Sequence, residues 1–348
     1  QATLAAGRQL PFFELVAEFG LSRTAAQALI VAAAPQVRGE VARLYGVLAN
    51  DEGRPICDRF LIELVLGGDD RTARQEVARE LEQDAPLLHF GLVRVLAAPP
   101  DMYLFAPITV DPALIARLRG HPFAGYEAGT VTEIQRADRG IDELAIDPRT
   151  KRDIVVDLSE PPLDGRPVRV VLRGRPGSGR TSLLAALADR VGRAIAMVDC
   201  ERLPRDGRAL AQRLRIELRR AAQRGALPCV SSIEVADSAE AEGVEHIREV
   251  FRSHPGPILF RTTPEYRPPL EPGYLDYTLP PLSEGNRQEF WDQAIARAGL
   301  KGDGAVLASR FRIGPGTVER VIANVRMRLE AGVLPEAEDY TAEIDEAA

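Results

Sequence analysis

The spacing of apolar residues over the first third of the chain predicts helices followed by a short hairpin. Between residues 12 and 85 apolar positions recur at helical spacing, and Ala25, Leu29 and Ala33 mark the clearest stripe. Two further apolar runs, Leu87–Val95 and Met102–Ile108, flank a Pro-rich corner at residues 97–101. Such a corner between two apolar runs is typical of a hairpin tip. We therefore expect a helical domain closed by a two-stranded wing, which is a winged-helix-like arrangement.

The pattern changes near residue 168, where short β-branched runs begin to alternate with helical stretches. The runs lie at Val168–Leu172, Ala194–Val198, Leu227–Ile233 and Pro257–Phe260. Strands that alternate with helices predict an α/β fold with a buried parallel sheet. Beyond Pro281 the spacing is helical again. We expect a winged-helix-like domain over 1–120, a connector over 121–167, an α/β core over 168–281, a helical lid over 282–334, and an acidic tail or a linker to a further module over 335–348.

Charge argues against nucleic acid as the partner. The 348 residues contain 44 basic and 51 acidic side chains, for a net charge of −7. Residues 1–126 alone carry twelve arginines, no lysine and fifteen acids, a net charge of −3. A DNA-binding winged helix needs a basic stripe that displaces counterions. We expect the N-terminal domain to pack against or bind a protein instead.

Cysteine, histidine and hydropathy patterns exclude several other classes. Cys57, Cys200 and Cys229 lie far apart, and the four histidines show no ligand spacing, so neither a disulfide scaffold nor a zinc site is indicated. The apolar runs are short and have charges nearby, which predicts no membrane span. A cytoplasmic protein is the expectation.

The most specific motif is the sequence GRPGSGRT at Gly174–Thr181, which matches the P-loop template GxxxxGK[ST] except at the lysine. An apolar strand precedes it and a helical stretch follows, as the template requires. In a P-loop, backbone N–H groups and the helix N-terminus hold phosphates, and the hydroxyl binds Mg²⁺. We therefore expect ATP or ADP with Mg²⁺ as the ligand, with Thr181 contacting the metal. The predicted nucleotide-binding residues are Gly174, Pro176, Gly177, Ser178, Gly179, Arg180, Thr181 and Ser182.

Arg180 stands at the lysine position of this motif. Lysine is a compact charge that reaches the β- and γ-phosphates, whereas the guanidinium is planar, longer and suited to bidentate contacts. Lys151 and Lys301 are the only lysines of the chain, but they show that lysine is not excluded from it. Arg180 therefore predicts weakened or lost hydrolysis, with nucleotide binding retained through the backbone and Thr181.

A second catalytic feature is missing from the strand at residues 227–233. P-loop enzymes that hydrolyse nucleotides end such a strand in a carboxylate that holds Mg²⁺, and usually carry a second that activates water. Here Ser231 and Ser232 occupy those positions, and Glu234 comes slightly later. The strand end is therefore predicted to be degenerate.

These features together resemble the AAA+ ATPases. The resemblance lies in the P-loop, in the strand that ends in Thr262-Thr263, and in the segments Leu282–Trp291 and Phe311–Arg320. The front half is similar to the variant winged-helix domain of a bacterial subfamily that includes ATPases associated with contractile injection systems. The resemblance implies ring oligomers in the full-length protein and a degenerate first module followed by an intact one.

The resemblance also implies roles for three further residues. Thr262 or Thr263 occupies the position of the first sensor, and Arg320 is the candidate for the lid sensor that touches the γ-phosphate. Threonine is also common at strand ends for conformational reasons, and Arg320 also fits a solvated helix face.

The leading hypothesis is a nucleotide-binding AAA+ module with weak or absent hydrolysis that supports oligomeric assembly or remodelling of a protein partner. Two alternatives stay open. One is an active ATPase in which Arg180 and Glu234 compensate for the missing groups. The other is a non-enzymatic winged-helix scaffold or regulator.

Overall fold

The computed structural model describes residues 10–49, 57–96, 100–120, 131–144, 146–159, 166–238, 240–335, 337 and 339–348. The chain divides into two compact units. The first contains residues 1–130, 215–226 and 253–256, and the second contains residues 131–214, 227–252 and 257–348.

The first unit is mostly helical. Its helices are α1 (Pro11–Glu18), α2 (Arg23–Val37), α3 (Gly39–Leu48), α4 (Arg59–Gly67), α5 (Arg71–Glu80), α6 (Pro86–His89) and α7 (Pro112–Leu118). Polar caps define several starts: the Ser22 hydroxyl accepts from the Ala25 N–H, and Asp58, Asp70 and Asp111 side chains cap α4, α5 and α7. Each cap satisfies an N–H that the first turn of its helix leaves unpaired.

A small antiparallel sheet completes this unit. Strands β1 (Cys57–Asp58), β2 (Val93–Val95) and β3 (Pro107–Val110) lie in the order β1-β3-β2. The predicted wing pairing is therefore present between β2 and β3, with Val93 opposite Val110. The strands are shorter than the apolar runs that predicted them, because residues 86–89 are helical and residues 100–105 form a 3₁₀ turn. Residues 97–99 of the predicted hairpin tip lie outside the described residues.

The core of the first unit is formed where these elements meet. Leu15, Leu29, Ile62 and Leu114 are fully buried and come from α1, α2, α4 and α7. Ala222 joins the same cluster from residues 215–226, which belong to this unit. Helix α2 is buried along its alanine-rich middle, which explains the run of small residues there.

The second unit is built on a six-stranded sheet. Its strands are β4 (Glu133–Gln135), β5 (Arg169–Arg173), β6 (Ile195–Asp199), β7 (Leu227–Ser231), β8 (Ile258–Thr262) and β9 (Leu275–Thr278), and their order is β4-β6-β7-β8-β5-β9. All neighbours pair in parallel except β4, which is antiparallel to β6. The helices that follow the strands are α8 (Pro148–Ser159), α9 (Arg180–Arg190), α10 (Gly207–Gln223) and α11 (Ala241–Ser253). Residues 215–223 of α10 and Ser253 of α11 belong to the first unit. The predicted α/β fold class is confirmed.

Four described helices follow the last strand, the first three over the residues predicted as a lid, and we keep that name for all four. The lid consists of α12 (Glu284–Arg297), α13 (Gly304–Arg310), α14 (Pro315–Glu330) and α15 (Thr341–Ala347), around a core that contains Trp291, Leu307 and Val325. Tyr340 and Ile344 are buried in that core. Residues 340–348 are therefore a packed part of the lid, although their acidic sequence suggested a tail or linker. The apolar residues Tyr340 and Ile344, which are four positions apart as on one face of a helix, decide this placement rather than the charged residues.

The predicted connector is likewise largely structured. Residues 131–167 belong to the second unit, where β4 extends the sheet and Ile141 and Ile154 enter its core. Residues 121–130, 145 and 160–165 of the connector lie outside the described residues. No helix in the described part of the chain is both long enough and apolar enough to cross a membrane.

A buried ion pair in the first unit allows a test of the packing. Arg117 donates to Glu18 Oε2 at 2.7 Å and to the Ala222 carbonyl at 2.7 Å, and both charged side chains are more than nine-tenths buried. Arg117→Met removes the cation but keeps its bulk, so the Glu18 carboxylate loses a buried partner. We expect a loss of about 3–5 kcal/mol in unfolding free energy, measured by urea denaturation.

The matched control is Asp69→Ala, because Asp69 is fully exposed and lies 4.0 Å from Arg74. This change should leave the urea midpoint where it is. Equal midpoints for the two variants would contradict a structural role for the Arg117–Glu18 pair.

Candidate functional site

The P-loop follows the carboxyl end of β5, and β5 lies between β8 and β9 in the sheet. Gly177 and Gly179 have φ values of +79° and +86°, a region that favours glycine, and Gly179 is the N-terminal cap of α9. Gly174 is buried at the end of the strand, and its N–H donates to the Thr262 carbonyl at 3.2 Å. The strand, loop and helix therefore follow one another as an anion-binding P-loop requires.

The Arg180 side chain is turned toward the neighbouring strand. Its Nη1 donates to the carbonyl oxygen of Thr262. Burial lowers the pKa of Arg180, and the nearby Arg261 guanidinium lowers it further, while Glu234 opposes the shift. The residue at the lysine position is thus tied to the end of β8 in this structure.

Thr181, the predicted magnesium ligand, is contacted by an arginine. Arg261 Nη1 donates to Thr181 Oγ1 at 2.8 Å. Arg261 lies on β8, in the middle of the sheet, where parallel strands are normally apolar. The sequence interpretation concentrated on the threonines that follow this residue and missed Arg261. A single cation inside an apolar strand was the available signal.

The end of β7 carries two serines and no carboxylate. Ser231 is 1% exposed, its Oγ has no hydrogen-bond partner, and its backbone is in register with Arg261. Ser232 has φ of +54° and is the only described residue other than glycine with a positive φ. Glu234 follows in a 3₁₀ turn, and its Oε1 accepts from the Thr263 N–H at 2.9 Å.

This arrangement does not match what magnesium requires. Mg²⁺ in P-loop enzymes is held by the loop hydroxyl and a strand-end carboxylate. Here the hydroxyl of Thr181 is hydrogen-bonded to a guanidinium, and Ser231 replaces the carboxylate. No group of three or more His, Cys, Asp or Glu side chains in the described ranges is placed to hold a metal.

The two sensor candidates on β8 have different environments. The Thr262 side chain is completely buried and its Oγ1 has no hydrogen-bond partner, while its carbonyl accepts from the P-loop. Thr263 is exposed, and its N–H is bound to Glu234. Both lie at the carboxyl end of β8, beside the P-loop strand.

The lid contacts the P-loop through the start of α14. The Gly316 N–H donates to the Gly177 carbonyl at 3.1 Å. Gly314 lies against the same carbonyl so closely that a Cβ there would overlap it. Thr317 occupies the space that a Cβ on Gly177 would need, and the exposed Arg320 donates to Thr317 Oγ1 at 3.4 Å. The missing side chain of Gly314 therefore permits the close approach of the two backbones.

A cleft runs beside the first turn of α9. Residues before the P-loop, on α9 and in the lid line it together, namely Gln135, Arg136, Asp138, Arg139, Leu144, Ile146, Gly179, Thr181, Ser182, Ala185, Phe290, Pro315, Gly316 and Glu319. Arg139 Nη1 and Glu319 Oε1 are 2.5 Å apart and join two of its walls. Ser182 is therefore placed at the cleft with Gly179 and Thr181, whereas Pro176 is exposed on the loop. The sequence interpretation treated residues 135–146 as connector and did not include them in the site.

Comparison with known proteins supports the N-terminal assignment. Residues 1–122 match the family model described as "Winged helix domain, variant", which confirms the predicted winged-helix character of this part. No curated protein matches the sequence.

Two solved structures have a similar chain path. A point mutant of RuvB from Thermotoga maritima is 15% identical, with a TM-score of 0.45, over 61% of this chain and 72% of its own. The Walker-type ATPase of Pyrococcus abyssi is 13% identical, with a TM-score of 0.40, over 57% of this chain and 71% of its own.

Substitution of Gly314 should separate the lid from the P-loop. Gly314→Ala places a methyl group against the Gly177 carbonyl, which backbone atoms can avoid only by moving α14. The Gly316 N–H then loses its acceptor, and we expect its amide hydrogen exchange to accelerate by at least about tenfold. Exchange measured by mass spectrometry or NMR reports this directly.

The matched control is Gly285→Ala, in the first turn of α12, where a Cβ would meet no atom within 4 Å. Exchange at Gly316 should be the same as in the parent protein. Unchanged exchange in Gly314→Ala would show that the contact between α14 and the loop is not maintained in solution.

Proposed function

We propose that the second unit is a nucleotide-binding module of the AAA+ type with weak or absent hydrolysis. The observation that carries this proposal is a P-loop that lies between a strand and a helix, as the template requires, but lacks two catalytic groups. Arginine replaces its lysine and is bound to Thr262, and Ser231-Ser232 replace the acids at the end of the neighbouring strand. Binding and hydrolysis depend on different groups, so one can persist without the other.

Nucleotide binding is supported by the loop backbone and by the cleft. The N-terminus of α9, capped by Gly179, provides N–H groups and the positive end of a helix dipole for phosphate. The cleft beside it has apolar walls from Leu144, Ile146 and Phe290 and polar groups from Gln135 and Asp138. Such a mixture suits a nucleoside, which has an apolar base and a polar sugar.

Weak hydrolysis is supported by the positions of the remaining charges. Hydrolysis requires a cation that stabilises the charge on the γ-phosphate during its transfer, and a carboxylate that positions the metal or the attacking water. Arg180 is hydrogen-bonded to the neighbouring strand, and Glu234, the acid that follows the serines of β7, accepts from the Thr263 N–H. In the alternative of an active ATPase, Glu234 would have to break its hydrogen bond to the Thr263 N–H before it could position metal or water.

We further propose that this module acts in a ring-shaped oligomer and that the N-terminal domain binds a protein. The net negative charge of residues 1–126 supports a protein rather than nucleic acid. Leu44, Val47 and Leu48 on α3 are each more than half exposed, and exposed apolar side chains in a group are typical of an interaction surface. The association with contractile injection systems, and an intact second module that supplies the hydrolysis, belong to the same proposal.

Nucleotide binding is tested with a pair of glycine variants at the two ends of α9. Gly179→Asp places a carboxylate at the phosphate cradle, while Gly192→Asp places the same charge, at a similar positive φ, beyond the other end of the helix. We expect the parent chain and Gly192→Asp to bind ADP in calorimetry, and Gly179→Asp to lose at least about tenfold in affinity, or 1.4 kcal/mol. Equal affinities would refute the assigned site, and no binding by the parent would refute the nucleotide-binding function.

Hydrolysis is tested by phosphate release from ATP. We expect a rate below about 0.01 per second, against about 10 per second for a median enzyme. We attribute any residual rate to contaminating ATPases, so the rate should be the same in the Thr181→Ala protein. A measurable rate that disappears in Thr181→Ala and in Glu234→Gln would instead support the active ATPase.

A further inference from the structure

We propose that this module binds its nucleotide without a divalent cation and that the Arg261 guanidinium provides the positive charge that Mg²⁺ supplies in hydrolysing P-loop proteins. The ligand would be the metal-free anion of a nucleoside di- or triphosphate. This inference rests on the proposed nucleotide-binding function and concerns how the same site neutralises the phosphates.

The first observation is the position of the Arg261 charge. Its Nη1 is 2.8 Å from Thr181 Oγ1, the hydroxyl that coordinates the metal in the P-loop template. A cation at hydrogen-bond distance from this oxygen repels a second cation that approaches the same atom. The hydroxyl is therefore a poor ligand for Mg²⁺ while Arg261 is bound to it.

The second observation is the missing counter-charge at the neighbouring strand. Arg261 on β8 is in register with Ser231 on β7, so the strand-end position that would carry the metal-binding acid lies beside this arginine. An acid at 231 would form an ion pair with Arg261 or bind a metal. Serine does neither, so the Arg261 charge stays directed at the P-loop hydroxyl.

The third observation is that a second guanidinium lies close by. Arg180 Nη1 donates to the carbonyl of Thr262, the residue that follows Arg261 on β8. The Glu234 carboxylate already accepts the Thr263 N–H at the same strand end. Two guanidinium groups and one engaged carboxylate therefore lie beside the end of β8, which favours an anion over a metal cation there.

Guanidinium is chemically suited to this task. It is permanently charged, and its planar set of donors matches two phosphate oxygens at once. Unlike Mg²⁺, a guanidinium coordinates no water molecule that it could activate for attack. A site built in this way favours retention of nucleotide over its hydrolysis, which agrees with the serines at the end of β7.

The test is calorimetric titration of ADP into the 348-residue chain, with excess MgCl₂ in one buffer and excess EDTA in the other. We expect the two dissociation constants to agree within about threefold, or 0.7 kcal/mol. Arg261→Met should weaken binding in EDTA by at least about tenfold, and Arg261→Lys, which keeps the charge, should weaken it less. Arg190→Met, at the far end of α9, is the control and should behave as the parent.

The outcomes separate this inference from the function on which it rests. Binding that weakens more than about tenfold in EDTA would overturn metal independence and leave nucleotide binding intact. No binding in either buffer would overturn both. The comparison of the two buffers uses the unchanged protein, so it stands even where the Arg261→Met protein does not fold.

A gain of metal dependence gives an independent readout. The double change Arg261→Met with Ser231→Asp removes the cation and restores the strand-end acid. We expect MgCl₂ to strengthen ADP binding to this protein by at least about tenfold. The same metal response in the parent chain would contradict the role assigned to Arg261.

Discussion

The carbonyl oxygen of Thr262 is the point on which the candidate site depends. It accepts the Gly174 N–H at 3.2 Å and is also bound by the Arg180 guanidinium. These two donors belong to the first residue of the P-loop and to a residue near its end. Both ends of the loop are therefore bound to the end of β8. Because β8 pairs with β5 in register, the position of this carbonyl is set by the sheet and not by the loop itself.

The same attachment changes what the residue at the lysine position can do. An arginine that donates to a strand carbonyl is a structural brace, and it must break a hydrogen bond in a buried setting before it can reach a phosphate. The lid contributes a second brace, because the Gly316 N–H binds the Gly177 carbonyl on the other side of the loop. The loop is thus held between a strand end and a helix start, an arrangement that suits stable retention of a ligand.

The charges at this edge of the sheet form one system. Arg261 and Ser231 are in register on β8 and β7, Arg180 is bound to the Thr262 carbonyl, and Glu234 is bound to the Thr263 N–H. Replacement of the strand-end acid by Ser231 and the presence of a cation at Arg261 are therefore parts of a single arrangement. In our proposal this arrangement replaces metal-dependent hydrolysis with metal-independent binding, and exposed apolar residues on α3 provide the surface through which the N-terminal domain binds its partner.

Much of the fold followed from local pattern. The change from helical spacing to β-branched runs near Val168 located the α/β sheet, and GRPGSGRT identified the P-loop, because both depend on residues that are neighbours in the chain. Ser231 and Ser232 were recognised as missing acids from their place after an apolar strand. Within the predicted connector (121–167) and the predicted tail (335–348), Ile154 and Ile344 are buried in cores whose other members lie far away in sequence, which local pattern does not indicate.

The amino-acid sequence by itself determined that this protein has a P-loop with arginine in place of lysine and a strand without its acids. Only the tertiary structure decided where the guanidinium groups point. Arg261 is 80 residues from Thr181 in the chain, yet their side chains are hydrogen-bonded, since the register of β8 beside β5 brings them to the same edge of the sheet. Sequence pattern reports which residues share a local element, whereas the meeting of two charges on different strands depends on how the strands are ordered and paired.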